Sequence, residues 1–453
     1  MKEIISLRGL FFVCALAAMI VLTACQLRPG RGGDEPSRGG SSQSPAVVRQ
    51  DPRSTPTPAP AVKQPRVVPP LNGEPLLDVL LQRSDRLYLT LLTAAQVDDR
   101  RLAPGRYLLE VRPEGIVIAA LGLRRSKEML IDLVNQTSAP SFSLQQGERS
   151  VSYGGDVVVK LVEGRLALCE RLGIEDFLPG VLVKEMGASW PLEALKAQAV
   201  AARSYISSQY LRRYDQPWHL AAAERVDLAY AGFIRNPHSH LATALRQTRG
   251  DIMMFGGLPL TAWFHSCSGG RTAGKSEAFP TRMAADDVTD PAPAMPSVDD
   301  PWALKGATGL KRMTVYDWQF SIDGKGLSWR IRQHAAEEGK ALALGTISTI
   351  EIVSRHPSGR ANQLLVLHDG ALDQGRWKID AYQFRLWAGS HQIRSTWWTS
   401  LSAANGSLHF TGRGFGHGVG MSQISAWAMA QEGILAGQIL RHFYPGATLV
   451  RRW

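Results

Sequence analysis

The chain has 453 residues, of which 44% are hydrophobic and 20% charged. That length exceeds one compact domain, and that apolar content can fill a sizeable core, so two or three globular units are expected. Lys and Arg total 51 against 40 Asp and Glu, a formal charge of +11, which suits nucleic acid, an anionic membrane surface or an anionic wall polymer. Four cysteines without any C-x-x-C exclude a disulfide-stapled small fold, a zinc ribbon and a thioredoxin-type site.

At the N-terminus, Lys2 and Arg8 flank the start of an unbroken apolar run from Leu10 to Leu22. This run suits the core of a signal peptide and falls short of the ~20 residues that span a bilayer as a helix. It ends in Leu22-Thr23-Ala24-Cys25, which resembles the bacterial lipoprotein cleavage box. Residues 1–24 are therefore expected to be a lipoprotein signal peptide, with Cys25 the lipidated first residue of an exported protein. The expected address is the cell envelope: the outer membrane where the host has one, otherwise the outer face of the plasma membrane. Residues 25–74 are rich in Pro, Gly and Ser, and ten of the chain's 26 prolines fall between Pro29 and Pro70. Such a stretch cannot bury enough apolar surface to offset its chain entropy and is read as a tether, reaching on the order of 40 Å.

Residues 75–150 read as a β-rich accessory region, with strand patterns such as Arg106–Val111 and Gly115–Ala119 separated by Pro-Glu-Gly punctuation. A helical block begins near Gly173 and runs toward Glu185. After Trp190-Pro191, the residues Leu192, Leu195, Ala199, Ala202 and Ile206 recur at helical spacing and predict a long helix with one buried face. Strands are expected at Leu258–His265, Ile347–Val353, Gln363–Leu367 and Ser407–Thr411, and a helix from Met421 to Gln431 with Gly433 as its stop. With no regular βα alternation and no repeat of 20–50 residues, the fold class is α+β: a β-rich N-terminal region, then a mixed α/β catalytic domain with a substrate cleft.

Two segments are candidates for chemistry. Glycines at 412, 414, 416, 418 and 420 keep a period of two, which does not supply the offsets of a dinucleotide fingerprint, and a phosphate P-loop is not expected either. Removing every side chain from one face lets a bulky ligand or another backbone come close, with His417 projecting from the middle. A tight corner with a hydrogen-bonded histidine is the alternative. Glu185 follows Val181-Leu-Val and precedes Met186 and Trp190, a setting in which burial favours the neutral carboxyl and suits a general acid. Arg203, further along the Ala-rich helix, needs either a partner or an anionic substrate.

The motifs then fall into one order. Ile174-Glu-Asp-Phe-Leu-Pro-Gly-Val, Glu185-Met-Gly-Ala-Ser-Trp-Pro through Arg203-Ser-Tyr205, Phe264-His-Ser-Cys-Ser-Gly-Gly-Arg-Thr272, Gly412-Arg-Gly-Phe-Gly-His-Gly-Val-Gly-Met-Ser-Gln423 and Leu440-Arg-His-Phe-Tyr-Pro-Gly446 resemble the stage II sporulation protein D / amidase-enhancer (SpoIID/LytB) family. The resemblance implies a catalytic domain over 151–453 and a lytic transglycosylase that cleaves peptidoglycan glycan strands, especially strands stripped of peptides, to 1,6-anhydro ends. It implies Glu185 as the catalytic acid. It further places Arg203, His265, Ser266, Gly269, Gly270, Gly416, His417 and Gly418 against substrate. One carboxyl can suffice for such chemistry, because the sugar's own 6-hydroxyl replaces the water that a second carboxylate activates in hydrolases. Some relatives carry a Cys/His zinc cluster after the long helix. Here that region, Trp218 to Tyr230, has no cysteine, so neither a metal nor any cofactor is expected. Three other readings compete: a wall-binding activator of a separate cell-wall amidase, a thiol enzyme built on Cys267 with His265 or His417, and a nucleic-acid binder. The diffuse charge and the export signal argue against the last of these.

Overall fold

A computed structural model of the protein describes residues 71–133, 139–222, 227–279 and 295–453. The expected signal peptide, Cys25 and the tether up to residue 70 lie outside them. The fold is α+β, and among the described residues the buried apolar side chains gather in three cores.

Strict alternation builds the first core. In Arg86–Leu91 the residues Leu87, Leu89 and Leu91 point inward while Arg86 and Tyr88 face out. Thirteen strands form two sheets. A six-stranded sheet contains Arg86–Leu91 and Gly105–Arg112, and a seven-stranded sheet contains Leu76–Ser84, Asp156–Val162 and Arg165–Gly173. Their inner faces share one apolar cluster running from Leu87 to Leu168. The domain boundary expected at 150/151 therefore falls inside the β unit. Gly154-Gly155, which punctuates the sequence there, lies between two strands of this sandwich, Arg149–Tyr153 and Asp156–Val162, and Gly155 has no room for a Cβ against the Arg171 carbonyl.

The second core surrounds two helices, α1 (Ile174–Glu185) and α2 (Leu192–Arg212). Pro191 stands at the N-cap of α2. The predicted stripe is buried apart from half-buried Leu192, yet so are Ala194, Gln198, Ala201, Ser204 and Ser208 on its other sides. Alanine and serine make this possible, because small side chains let neighbours approach from every direction. α2 is a central helix, not an amphipathic one. Gly433 stops the Gln423–Gln431 helix with φ +80, as its sequence position predicts.

The third core was not anticipated. Trp318, Leu327, Ile331, Leu364, Val366, Phe384, Trp398 and Phe410 pack together between two three-stranded sheets and the helices Gly324–Glu337 and Ala381–Gly389. The expected single domain over 151–453 thus carries an inserted module, with its own apolar centre, between the helix Trp302–Gly309 and the glycine-rich segment.

The burial of α2 on all sides has a testable consequence. Ala201 lies off the predicted stripe but has no exposed surface. Ala201→Leu should lower unfolding free energy by about 1–3 kcal/mol, the usual cost of overpacking, in a denaturant titration. An amphipathic α2 would tolerate the change.

Candidate active site

Two distant segments meet through their backbones. Phe264–His265 pairs in parallel with Met421–Ser422, and Cys267 pairs with Phe415 through both of its backbone groups. Ile424 N–H donates to the Ser266 carbonyl, and Ala273 N–H to that of Gly418. The next residue, Gln423, opens the helix Gln423–Gln431 and points its amide at Glu185, with Nε2 3.5 Å from Oε2. Glu185 is the last residue of α1 and only 7% exposed. The structure thus brings Glu185, the segment from His265 to Gly270 and the glycine loop into one site.

The glycines serve this meeting of chains. Gly414, Gly416, Gly418 and Gly420 all have positive φ, and a Cβ on each would strike the Ser268 and Cys267 carbonyls, His265, the Arg360 guanidinium and the Trp263 carbonyl respectively. The side-chain-free face is filled by the protein itself. Gly416, His417 and Gly418 are all buried, which corrects the expectation that they lie beside a bound ring and favours the corner reading. His417 Nδ1 accepts from Val419 N–H, so its proton sits on Nε2 and is donated to the Phe264 carbonyl at 3.0 Å. Burial, with the charges of Arg385 and Arg360, pushes this imidazole down to about 3. Both ring nitrogens are engaged and the ring is neutral.

His265 is also fully buried. Its Nδ1 donates to the Val419 carbonyl at 3.0 Å, and its Nε2 lone pair has no protein donor among the described residues. Burial and the neighbouring His417 and Arg360 hold it well below the usual histidine range. Ser266 and Gly270 are partly exposed. Gly269, with φ +79, accommodates the Arg413–Gly414 backbone where a Cβ would stand.

Arg203 is elsewhere. It has no exposed surface and forms a bidentate pair with Glu175, Nε to Oε1 and Nη2 to Oε2, each 2.9 Å, while Nη1 donates to the Asp251 carbonyl at 3.1 Å. Glu175 stands ten residues before Glu185 on the same helix, about 15 Å along its axis. The expectation that Arg203 reaches a sugar is therefore corrected: of the two alternatives open to a buried arginine, it has the partner. Glu175 Oε1 also accepts from Gly250 N–H and the indole of Trp453, tying α1 to the C-terminus.

Several residues of the site escaped sequence reasoning. Asp300 is 1% exposed, and its Oδ2 accepts from the hydroxyls of Ser268 at 2.6 Å and Ser425 at 2.7 Å. It lies beyond the motifs, in a loop without periodicity. Contrary to the expectation, the P-loop pattern G-x-x-x-x-G-K-S is present in the sequence, from Gly269 to Ser276. Its geometry is not that of a phosphate cradle. The N–H groups of Thr272, Ala273 and Lys275 are spent on the carbonyls of Val298, Gly418 and Met295, and the helix that follows has only four residues. Cys267 is 1% exposed and burial pushes its thiol far up, which removes the thiolate that a Cys–His enzyme needs. His238 and His240 serve locally, His238 capping its helix and His240 contacting the Trp190 carbonyl.

This is an α+β protein in which a glycine-rich loop and a His-Ser-x-Ser-Gly-Gly loop converge beside one buried glutamate. Residues 162–255 match the family described as Stage II sporulation protein, and residues 303–420, which span the inserted module, match a domain of unknown function (DUF8618). The chain is 27% identical over 299 residues to Stage II sporulation protein D of Bacillus amyloliquefaciens, covering 62% of this chain and 75% of that one. It is 28% identical over 291 residues to the Amidase enhancer of Bacillus subtilis, covering 60% of this chain but only 40% of that protein. An uncharacterized protein of Brachyspira hyodysenteriae is 26% identical over 302 residues, 66% of this chain and 73% of the other. Both the family match and the curated relatives make the chain similar to the stage II sporulation protein D / amidase-enhancer family.

The buried ion pair predicts a pH dependence. Burial alone would raise the Glu175 carboxyl, but hydrogen bonds and the charge of Arg203 outweigh it and hold the group below the ordinary glutamate value. Its stabilisation is therefore complete above that value, roughly 4.3, and is lost as pH falls through the lower, folded one. Glu175→Gln should cost about 3–5 kcal/mol at neutral pH by leaving Arg203 buried and unpaired. In chemical denaturation the gap from wild type should close in acid; a pH-independent gap would sink the account.

Proposed function

We propose that the protein remodels the bacterial cell wall as a lytic transglycosylase, cleaving peptidoglycan glycan strands stripped of peptides to 1,6-anhydro ends. The observation that carries this reading is Glu185, buried at the end of α1 and met by Gln423 from the glycine loop's own helix. In this mechanism Glu185 protonates the glycosidic oxygen as the bond to the anomeric carbon breaks. The same carboxylate then takes the proton from the 6-hydroxyl as that oxygen closes the anhydro ring. No water is consumed, and the carboxyl returns to its starting state.

Glu185→Gln keeps size and hydrogen-bonding reach but has no proton to give. Release of anhydro ends from purified, peptide-free glycan, followed by mass spectrometry, should fall by at least ~10²–10⁴ while glycan binding survives. The similarity to an amidase enhancer favours a second reading, a wall-bound activator of an amidase. Under it the wild-type protein releases nothing from peptide-free glycan, and it speeds peptide release by an added amidase equally well with Glu185→Gln.

We further propose lipid anchoring at Cys25, on the sequence of its basic, apolar and cleavage-box elements. Cys25→Ala should move the protein from the membrane fraction to the soluble envelope fraction; unchanged fractionation would remove the anchor.

A further inference from the structure

Arg360 is the side chain whose chemistry is least explained by folding alone. It sits in the tight turn between the strands Ile347–Arg355 and Ala361–His368 of the inserted module, where Gly359 takes φ +87. From there it leaves its own module. Its Nη2 donates to the carbonyls of Ser268 at 2.8 Å and Arg271 at 2.9 Å, one before and one after Gly269-Gly270. The guanidinium lies against Gly418, where a Cβ would come within 2.7–2.8 Å of Nη2, Cζ and Nε. Trp397 covers it from the module, its ring centroid 5.1 Å from Cζ.

The side chain is 2% exposed, and Nε and Nη1 have no hydrogen-bond partner among the described residues. Among the described residues no ion pair neutralises it, and the charge of Glu277 favours its protonated form without pairing with it. A buried guanidinium held this way is costly to desolvate, and a neutral amide could meet the same two carbonyls more cheaply. The planar cation does more than bridge: while the two N–H groups of one nitrogen span both carbonyls, its flat face stacks between Gly418 and Trp397.

We propose that Arg360 is a positioning residue of the candidate active site, supplied by the inserted module, which locks the Ser268–Arg271 loop onto the glycine loop. The two loops continue directly into the paired segments Phe264–His265 and Met421–Ser422, and Gln423, which meets Glu185, is the next residue. Other contacts support the same grip: Gly414 N–H donates to the Tyr316 carbonyl and Gly416 N–H to that of Arg394. The module of unknown function is on this account part of the active site's frame.

The kinetic half of the test rests on the lytic reading of Glu185; the spectroscopic half does not. In Arg360→Ala, kcat for anhydro-end release should fall on the order of 10- to 100-fold with KM little changed, because alignment is lost rather than binding. Arg360→Lys should recover part of that loss. Selective ¹⁵N labelling of histidine should show His417 as the Nε2–H tautomer and His265 as Nδ1–H in wild type, and mixed tautomers in Arg360→Ala with the melting temperature nearly kept. Gly418→Ala, whose methyl displaces the guanidinium, should reproduce both effects and serves if Arg360→Ala does not fold. Wild-type tautomers together with wild-type kcat in these variants would overturn the proposal. A rise in KM at constant kcat would overturn it too, making Arg360 a substrate contact. If wild type releases no anhydro ends, the lytic reading fails and the tautomers alone decide the role of Arg360.

Discussion

The site depends on a steric constraint: no Cβ can exist at alternate positions from Gly412 to Gly420. Each absent Cβ is a place where another part of the chain has moved in, among them Trp318 at Gly412, two carbonyls at Gly414 and a guanidinium at Gly418. Because four of these residues also have positive φ, the loop follows a path that side chains would strain twice, by clash and by backbone conformation. The loop is thereby packed on both sides, its histidine is fixed in one tautomer, and the helix bearing Gln423 starts at a defined point. The location of Glu185's neighbour follows from backbone sterics rather than from any charge.

Local structure was legible where one physical signal dominates. Apolar runs split by turn residues marked several of the β strands, and Pro191 and Gly433 marked the ends of their helices. Reading failed where a residue's meaning is set by what packs on it. The period of two in glycine says that something approaches closely but not what, and here it is the protein's own carbonyls and rings. α2 looked amphipathic because Leu and Ile mark one face, while its Ala and Ser positions, equally buried, carry no hydropathy signal. The inserted module shares the composition of its host, so only its separate apolar core reveals it. Arg203 was seen to need a partner or a ligand; choosing between them required knowing that Glu175 faces it across two helices.

The electrostatics of the module differ from those of the host domain. Arg203 in the host is matched by a carboxylate. In the module Arg360 and Arg385 are each 2% exposed and bind main-chain carbonyls, with burial pushing each guanidinium down to about 10. Their positive charge falls on the two buried imidazoles, His265 feeling Arg360 and His417 feeling both. Protonating either ring would set a third cation beside these two in a dry interior, so both rings stay neutral and their tautomers are dictated by backbone groups. A histidine that cannot titrate is a poor acid or base and a good strut.

α1 joins these parts, because its two ends do different work. At its start Glu175 is held by both oxygens to Arg203, and its backbone N–H is capped by the Glu74 carboxylate. A bidentate pair resists rotation of the helix as well as sliding, since either motion breaks one of two parallel bonds. About 15 Å further on, the same rigid rod presents Glu185 to Gln423. The glycine loop sets where the amide stands, and the ion pair sets where the carboxyl stands. A carboxyl placed by two independent constraints can be displaced by relaxing either one, and those constraints lie in residues far from the carboxyl itself.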